Sequence, residues 1–234
     1  NRRYDLSTLR PGEALITNDP YSGAQHLNDI LIFSPVFFKD RLVAFSASLG
    51  HHIDVGGGAA GPNAGAADIF AEGLRIPPLR FDVERDFGSG MLEQFIRFNV
   101  RAPEQVIGDL YAQLAANRTG AVRFVEMLER FGEDAVLEAG AAIQDYSERL
   151  TREAIRQIPD GRYEAEDFVD DNGFDQTPLR VKVAVTIDGD EIEVDFHGSA
   201  DQTKGIINCP LASTVAAVYG ALAVVLGGGD IPVN

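Results

Sequence analysis

Basic residues, lysines and cysteines are scarce in this chain of 234 residues. Its 20 Lys and Arg face 36 Asp and Glu, a formal net charge of −16. That balance argues against nucleic acid and against an anionic membrane surface as partners. The single cysteine, Cys209, excludes an internal disulfide, and no charged and apolar leader opens the sequence, so a reducing cytoplasm is the expected compartment. The only lysines are Lys39, Lys182 and Lys204, and no Walker A sequence is present. Gly56-Gly57-Gly58-Ala59-Ala60-Gly61 fits a dinucleotide-binding pattern, but Pro62-Asn63 follows where a helix has to open. No nucleotide site is therefore legible. The apolar stretch from Pro210 to Leu226 is short for a bilayer, which needs about 20 apolar residues, and it reads as a buried helix ending at Gly227-Gly228-Gly229.

What is present suffices for a sizeable core, at 45% hydrophobic residues. Residues 1–101 read as strands and loops, with a strand at Glu13 to Thr17 and a Gly/Ala-rich loop from Val55 to Ala67. Residues 102–158 read as helical. Ile107, Leu114, Ala121 and Leu128 share one heptad position and Leu110, Phe124 and Phe131 its partner, which gives a helix from about Glu104 to Phe131. Gly132-Glu133 breaks it, and Val136, Ala139, Ile143, Tyr146, Leu150 and Ala154 line a second helix stopping at Pro159-Asp160-Gly161. So brief a connection predicts an antiparallel helical hairpin, packed on the domain's own sheet or offered to a partner. From 159 to 234 the period returns to two: Leu179, Val181, Val183, Val185 and Ile187 mark one face, Asp188-Gly189 turns, and Ile192, Val194 and Phe196 resume it. The fold class predicted is α+β, mainly antiparallel sheets with an inserted helical hairpin, as one continuous domain or two lobes.

Three of the chain's four histidines stand in His26-Leu27-Asn28-Asp29 and Gly50-His51-His52-Ile53-Asp54. The sequence between reads as a β-hairpin, Ile30 to Phe38 and Arg41 to Leu49, turned at Lys39-Asp40. Pairing Phe38 with Arg41 sets Asp29 opposite Gly50, with His51 beside Asp29. Cross-strand neighbours have Cβ atoms roughly 4.5–5.5 Å apart, so a carboxylate and an imidazole at the open end reach one ion, and His26 closes the set. Such a mixed N/O group suits Zn, Mn or Fe and leaves coordination positions open for water or substrate, which favours catalysis over structure. The register is soft, since Lys39-Asp40 is not Asn-Gly or Asp-Gly and Pro35 implies an edge or a bulge. A slip of one residue exchanges His51 for His52.

Around these candidate ligands stand other groups. Asn18-Asp19-Pro20-Tyr21 forms either a local turn or a wall that orients the ligands, with Asp19 a candidate catalytic acid and Tyr21 a candidate substrate contact. Asp54 suits an orienting role or that of general base, and His52 suits donation to a developing oxyanion. Gly57, in the glycine loop, either approaches a substrate or serves as plain turn. Arg75, in Glu72-Gly73-Leu74-Arg75, is a candidate for a substrate carboxylate or phosphate, or for a structural ion pair. Cys209 reads as a small buried hydrophobe rather than a nucleophile.

Several phrases in order resemble the hydantoinase B family, which also covers the oxoprolinase C-terminal part and the alpha subunits of acetone and acetophenone carboxylases. They are Arg10-Pro-Gly12, Thr17-Asn-Asp-Pro-Tyr-Ser-Gly23, His26-Leu-Asn-Asp29, His51-His-Ile-Asp-Val-Gly-Gly57, Glu72-Gly-Leu-Arg-Ile-Pro-Pro78, Ile158-Pro-Asp-Gly161, Val194-Asp-Phe-His-Gly-Ser199, Ile207-Asn-Cys-Pro-Leu211 and Asp230-Ile-Pro-Val-Asn234. The likeness runs through the whole chain. His197 departs from it, standing where relatives often carry Ser. The resemblance implies metal ligation by His26, Asp29 and His51, with a further Asp upstream of this chain. Family members are much longer, so the chain reads as an excerpt of a larger protein.

The function implied is that of the B-type subunit of an ATP-dependent hydantoinase or 5-oxoprolinase-like enzyme. An A-type partner uses ATP to activate a small cyclic amide, and the metal-bearing subunit hydrolyses it within a hetero-oligomer. Two other readings are ATP-dependent carboxylation of a ketone, with the metal stabilising an enolate, and a metal-stabilised scaffold that only assembles the complex.

Overall fold

A computed structural model describes residues 4–227. The chain divides into two compact units, Asn1–Gly132 and Glu133–Asn234.

In the first unit, β1 (Glu13–Thr17), β2 (Asp29–Phe38), β3 (Arg41–His51) and β4 (Leu79–Asp82) form an antiparallel sheet in the order β3-β2-β1-β4. Alternation decides which side is covered: Ala14 and Ile16 of β1 and Ile30 and Ile32 of β2 are buried. The short helices α1 (Ile69–Glu72) and α2 (Val83–Asp86) precede α3 (Met91–Asn99) and the long α4 (Pro103–Phe131). Val106, Ile107 and Leu110 of α4 and Ile96 of α3 join the sheet residues, Leu27, Phe81 and Phe87 in one core. Each such aliphatic side chain contributes roughly 1.5–3 kcal/mol by leaving water. The predicted heptad stripe is buried at Ile107, Leu110 and Leu128, half-buried at Leu114, Ala121 and Phe124, and exposed at Phe131. Two amides the pattern did not mark, Gln113 and Asn117, are also buried.

The predicted hairpin exists, with one difference in register. Lys39 and Asp40 both adopt positive φ, 49° and 63°, so the turn is of the tight primed kind without its usual glycine. Pairing runs from Phe38↔Arg41 and Phe37↔Leu42 to Val36↔Ala44, leaving Val43 as the extra residue of a bulge. Every pair below it is displaced by one, and Asp29 faces His51 directly rather than Gly50.

The second unit holds α5 (Glu133–Ile155), the antiparallel sheet β5-β6-β7 (Gly161–Val169, Leu179–Asp188, Glu191–Asp195) and α6 (Leu211–Leu222), which continues as a π-helical turn, Ala223–Gly227. Asp190, at the β6–β7 turn, pairs with Arg152 of α5 and with Arg156 just past its end. The two long helices are present as predicted. The division falls between them at Gly132, so each belongs to a different unit although the sequence pattern groups them as one hairpin. Two burial expectations are corrected. The face Leu179 to Ile187 is covered fully only at Ile187, and α6 has no buried residue, Leu211 being 78% exposed. The predicted stop at Gly227–Gly229 extends past the described residues. Among those residues no helix is long and apolar enough to cross a membrane.

Candidate metal centre

Three ligand-type side chains converge where the hairpin opens. His51 Nδ1 lies 2.6 Å from one Asp29 oxygen and His26 Nδ1 3.0 Å from the other. The two imidazoles meet edge to face, 5.5 Å between ring centroids. One ligand atom from each residue lies within 4.8 Å of the other two. Asp29 is buried, its side chain 8% exposed, while the side chains of His26 and His51 are 52% and 48% exposed. Burial pushes the Asp29 carboxyl up, but the His26 backbone N–H, the His51 ring and the charges of both imidazoles outweigh it, holding the group below its ordinary value and ionised.

This donor set fits a divalent transition ion. An ion with bonds of about 2.0–2.2 Å sets tetrahedral neighbours roughly 3.3 Å apart, so the 2.6 Å His51 contact has to open by about 0.7 Å and the 3.0 Å His26 contact by about 0.3 Å. Both Nδ1 atoms are then free of protons.

The loop bearing His26 is held at several points. Asp29 Oδ2 accepts the His26 N–H at 2.9 Å, and the Asp29 N–H donates to the His26 carbonyl at 3.0 Å. Asn28 pairs with His52, its Nδ2 donating to the His52 carbonyl at 2.7 Å and its own carbonyl accepting the His52 N–H at 2.8 Å. Asn18, wholly buried, ties three remote backbone groups: Nδ2 donates to the carbonyls of Leu27 (2.6 Å) and Leu74 (2.8 Å), and Oδ1 accepts the Ile76 N–H (2.6 Å). Sequence reading left Asn18 between a local turn and a wall that orients the ligands.

The candidate catalytic residues lie elsewhere. His52 is 1% exposed and bonds through Nε2 to Gln113 Oε1 at 3.0 Å. Because the Gln113 amide nitrogen donates to the Ile30 carbonyl (2.9 Å), its oxygen accepts, so His52 carries its proton on Nε2. Burial lowers the His52 pKa against the opposing effect of Gln113, leaving a neutral core imidazole rather than an oxyanion donor. Asp54 is also wholly buried, accepting the backbone N–H groups of Gly56 (3.0 Å) and Arg101 and the Arg101 guanidinium (3.2 Å). Burial raises its carboxyl, but these bonds and the Arg101 charge prevail and hold it low. So committed, Asp54 anchors the glycine loop to the residues before α4, which corrects both its general-base and its ligand-orienting assignments.

Asp19 caps the turn Pro20–Ser22, accepting from Tyr21 N (3.1 Å) and Ser22 Oγ (2.9 Å), and pairs with Arg75 Nε at 2.9 Å. Burial raises its carboxyl too, but the hydrogen bonds from Arg75 and Ser22 hold it below the usual range. The Arg75 guanidinium lies over the Tyr21 ring, 5.1 Å from its centroid, and Tyr21 is 70% exposed. The Arg75 ion pair is therefore with Asp19, not with Glu72 three residues before it. Gly57 is glycine for a backbone reason: at φ 73° an added Cβ meets the Glu72 carbonyl group at 2.6 Å. That close approach is to the end of α1, not to open space. Cys209 is exposed, correcting its expected burial, and His197 belongs to the second unit.

One residue was underrated. Glu72 ends α1, half-buried, and no hydrogen bond to its carboxylate occurs among the described residues. Burial raises its pKa, the nearby His26 opposes this and Asp68 adds to it. The sequence offered only Glu72-Gly73, an acid before a glycine, which ends the helix at φ 151°.

A family model described as hydantoinase B/oxoprolinase matches residues 2–234. The B-type component of a putative D-/L-hydantoinase of Pseudomonas sp. is 38% identical over 220 residues, covering 91% of this chain and 37% of that protein. The crystal structure of ATP-dependent caprolactamase from Pseudomonas jessenii superposes with a TM-score of 0.85 at 32% identity, over 93% of this chain and 37% of that one. The acetophenone carboxylase delta subunit of Aromatoleum aromaticum is 29% identical over 221 residues, 92% of this chain and 32% of that protein. The chain thus spans about a third of the length of these relatives.

Proposed function

The chain belongs to the hydantoinase B/oxoprolinase family, and from that premise we propose that it forms the metal-bearing part of a subunit that hydrolyses a cyclic amide after ATP-dependent activation by an A-type partner. The observation that carries this reading is the convergence of His26, Asp29 and His51 within 4.8 Å at the open end of one hairpin. Two relatives whose names make them one component of a hydantoinase and one of a caprolactamase support a partner, and the structure named ATP-dependent caprolactamase supports an activated lactam.

A divalent ion held by His26, Asp29 and His51 supplies Lewis acidity and lowers the pKa of water near neutral pH. The chain's own groups do the rest. Asp29, kept ionised, would serve as the anionic ligand, and its Oδ2 accepts the His26 backbone N–H, which holds the loop that carries His26. Glu72, with no hydrogen bond to satisfy and a raised pKa, exchanges a proton with attacking water or with the departing ring nitrogen. Tyr21 and the Arg75 beneath it form an exposed, partly cationic wall for a polar substrate group. The acidic surface suits a more basic partner face.

Assays of the full-length protein with hydantoin, 5-oxoproline and acetone, each with and without ATP and the A-type partner, test the proposal. Ring opening that requires both is the expected result. Hydrolysis of a cyclic imide at an unchanged rate with neither makes the protein a self-contained metal amidohydrolase. ATP-dependent consumption of acetone without ring opening assigns it instead to ketone carboxylation, the reading favoured by the acetophenone carboxylase relative.

A further inference from the structure

Asp29 begins β2 and His51 ends β3, and a single side chain of α4 bonds the residue next to each. Gln113, itself buried, donates through Nε2 to the carbonyl of Ile30 at 2.9 Å and accepts from His52 Nε2 at 3.0 Å. Its Nε2 also lies 3.4 Å from the carbonyl of Ser48 on β3. Both strands are thereby tied to the helix one residue away from their ligands. Gly50, between those two points on β3, completes the fit: an added Cβ stands 3.1 Å from Gln113 Cδ, tight enough that the amide has to give way.

We infer that Gln113 is a positioning residue for the His26–Asp29–His51 site, setting the spacing of Asp29 and His51 by clamping Ile30 and His52. The inference rests on the metal reading proposed above. One turn further along α4, Asn117 makes the same kind of bond, from Nδ2 to the Ile32 carbonyl at 2.9 Å, and also lies buried. It touches no residue adjacent to a ligand, so it reports what losing a buried amide costs the fold alone. Partners behind metal ligands typically account for 10–100-fold in affinity because they hold ligand spacing that the ion itself does not enforce.

The test is zinc affinity of the full-length protein by competition with a chromophoric chelator, alongside Tm, for Gln113→Leu, Asn117→Leu and Gly50→Ala. Gln113→Leu is expected to weaken zinc binding about tenfold or more. Asn117→Leu lowers Tm to a similar extent with unchanged affinity. Gly50→Ala, which displaces the amide without deleting it, weakens binding with little change in Tm. A folded Gln113→Leu that binds zinc like the wild type, or no worse than Asn117→Leu, overturns the inference. If Gln113→Leu does not fold, unchanged affinity in Gly50→Ala overturns it. A wild-type protein that binds no zinc, manganese or iron overturns the metal reading and this inference with it, whereas intact wild-type binding with indifferent variants removes the inference alone.

Discussion

Replacing Asn18 by leucine keeps the number and branching of the side-chain heavy atoms and removes three hydrogen bonds from a position with no solvent access. The carbonyls of Leu27 and Leu74 lose their donor and the Ile76 N–H loses its acceptor, bonds of 2.6, 2.8 and 2.6 Å. A buried polar group left without a partner costs about 1–3 kcal/mol. Among the described residues the Ile76 N–H has no other acceptor, and neither carbonyl has another donor. With some relaxation, the three together are expected to cost about 3–5 kcal/mol, a large part of the ~5–15 kcal/mol that holds a domain folded. Urea unfolding at pH 7, comparing midpoint and slope with the wild type, measures it. The same substitution frees the loop bearing His26, so metal affinity falls even where the variant is still folded. A loss under about 1 kcal/mol with unaltered metal affinity refutes the clamp, since it means that water replaces Asn18 at no cost.

Three further outcomes are expected. Glu72→Gln lowers turnover by about 10²–10⁴-fold yet leaves stability at pH 7 equal or slightly higher, because a carboxyl whose folded pKa is raised destabilises the fold once ionised; activity unchanged in pH–rate profiles removes it from proton transfer. Asp19, Asp29 and Asp54 are all held below the ordinary value of 3.8, so their contribution is complete above that pH and is lost as pH falls through the folded values; the urea midpoint drops steeply below about 4, after a gentler decline below about 6.5 where the unfolded chain protonates His52 and the buried imidazole resists it, and Asp54→Asn shows a shallower acid drop, a parallel curve counting against the assignment. Arg75→Ala raises KM for an anionic or strongly polar substrate more than it lowers kcat, and a fall in kcat with KM unchanged places Arg75 in the transition state instead.

The hairpin and its ligand trio were legible because period-two patterning and a two-residue turn fix which ends meet. The bulge was announced by Pro35 but its position was not, and Val43 as the extra residue is what moves Asp29 from Gly50 to His51. His52 and Asp54 were misassigned for a common reason. Both stand beside ligand-like residues in sequence, and their partners, Gln113 and Arg101, come from segments dozens of residues away that no local pattern connects. Gln113 and Asn117 are not among the apolar positions that mark the heptad stripe of α4. They are buried because carbonyls of β2 face them. The exposed apolar side of α6 shows the converse, since hydropathy predicts a need for cover and not whether the cover lies within this chain.

Metal content of the full-length protein bears most directly on the central claim. Elemental analysis after purification without added metal, repeated for Asp29→Asn, His26→Ala and His51→Ala, is expected to give close to one equivalent of Zn, Mn or Fe in the wild type and a large loss in all three variants. Wild-type protein carrying only Mg or Ca, or variants that retain the full equivalent, contradicts a metal centre built from these three side chains.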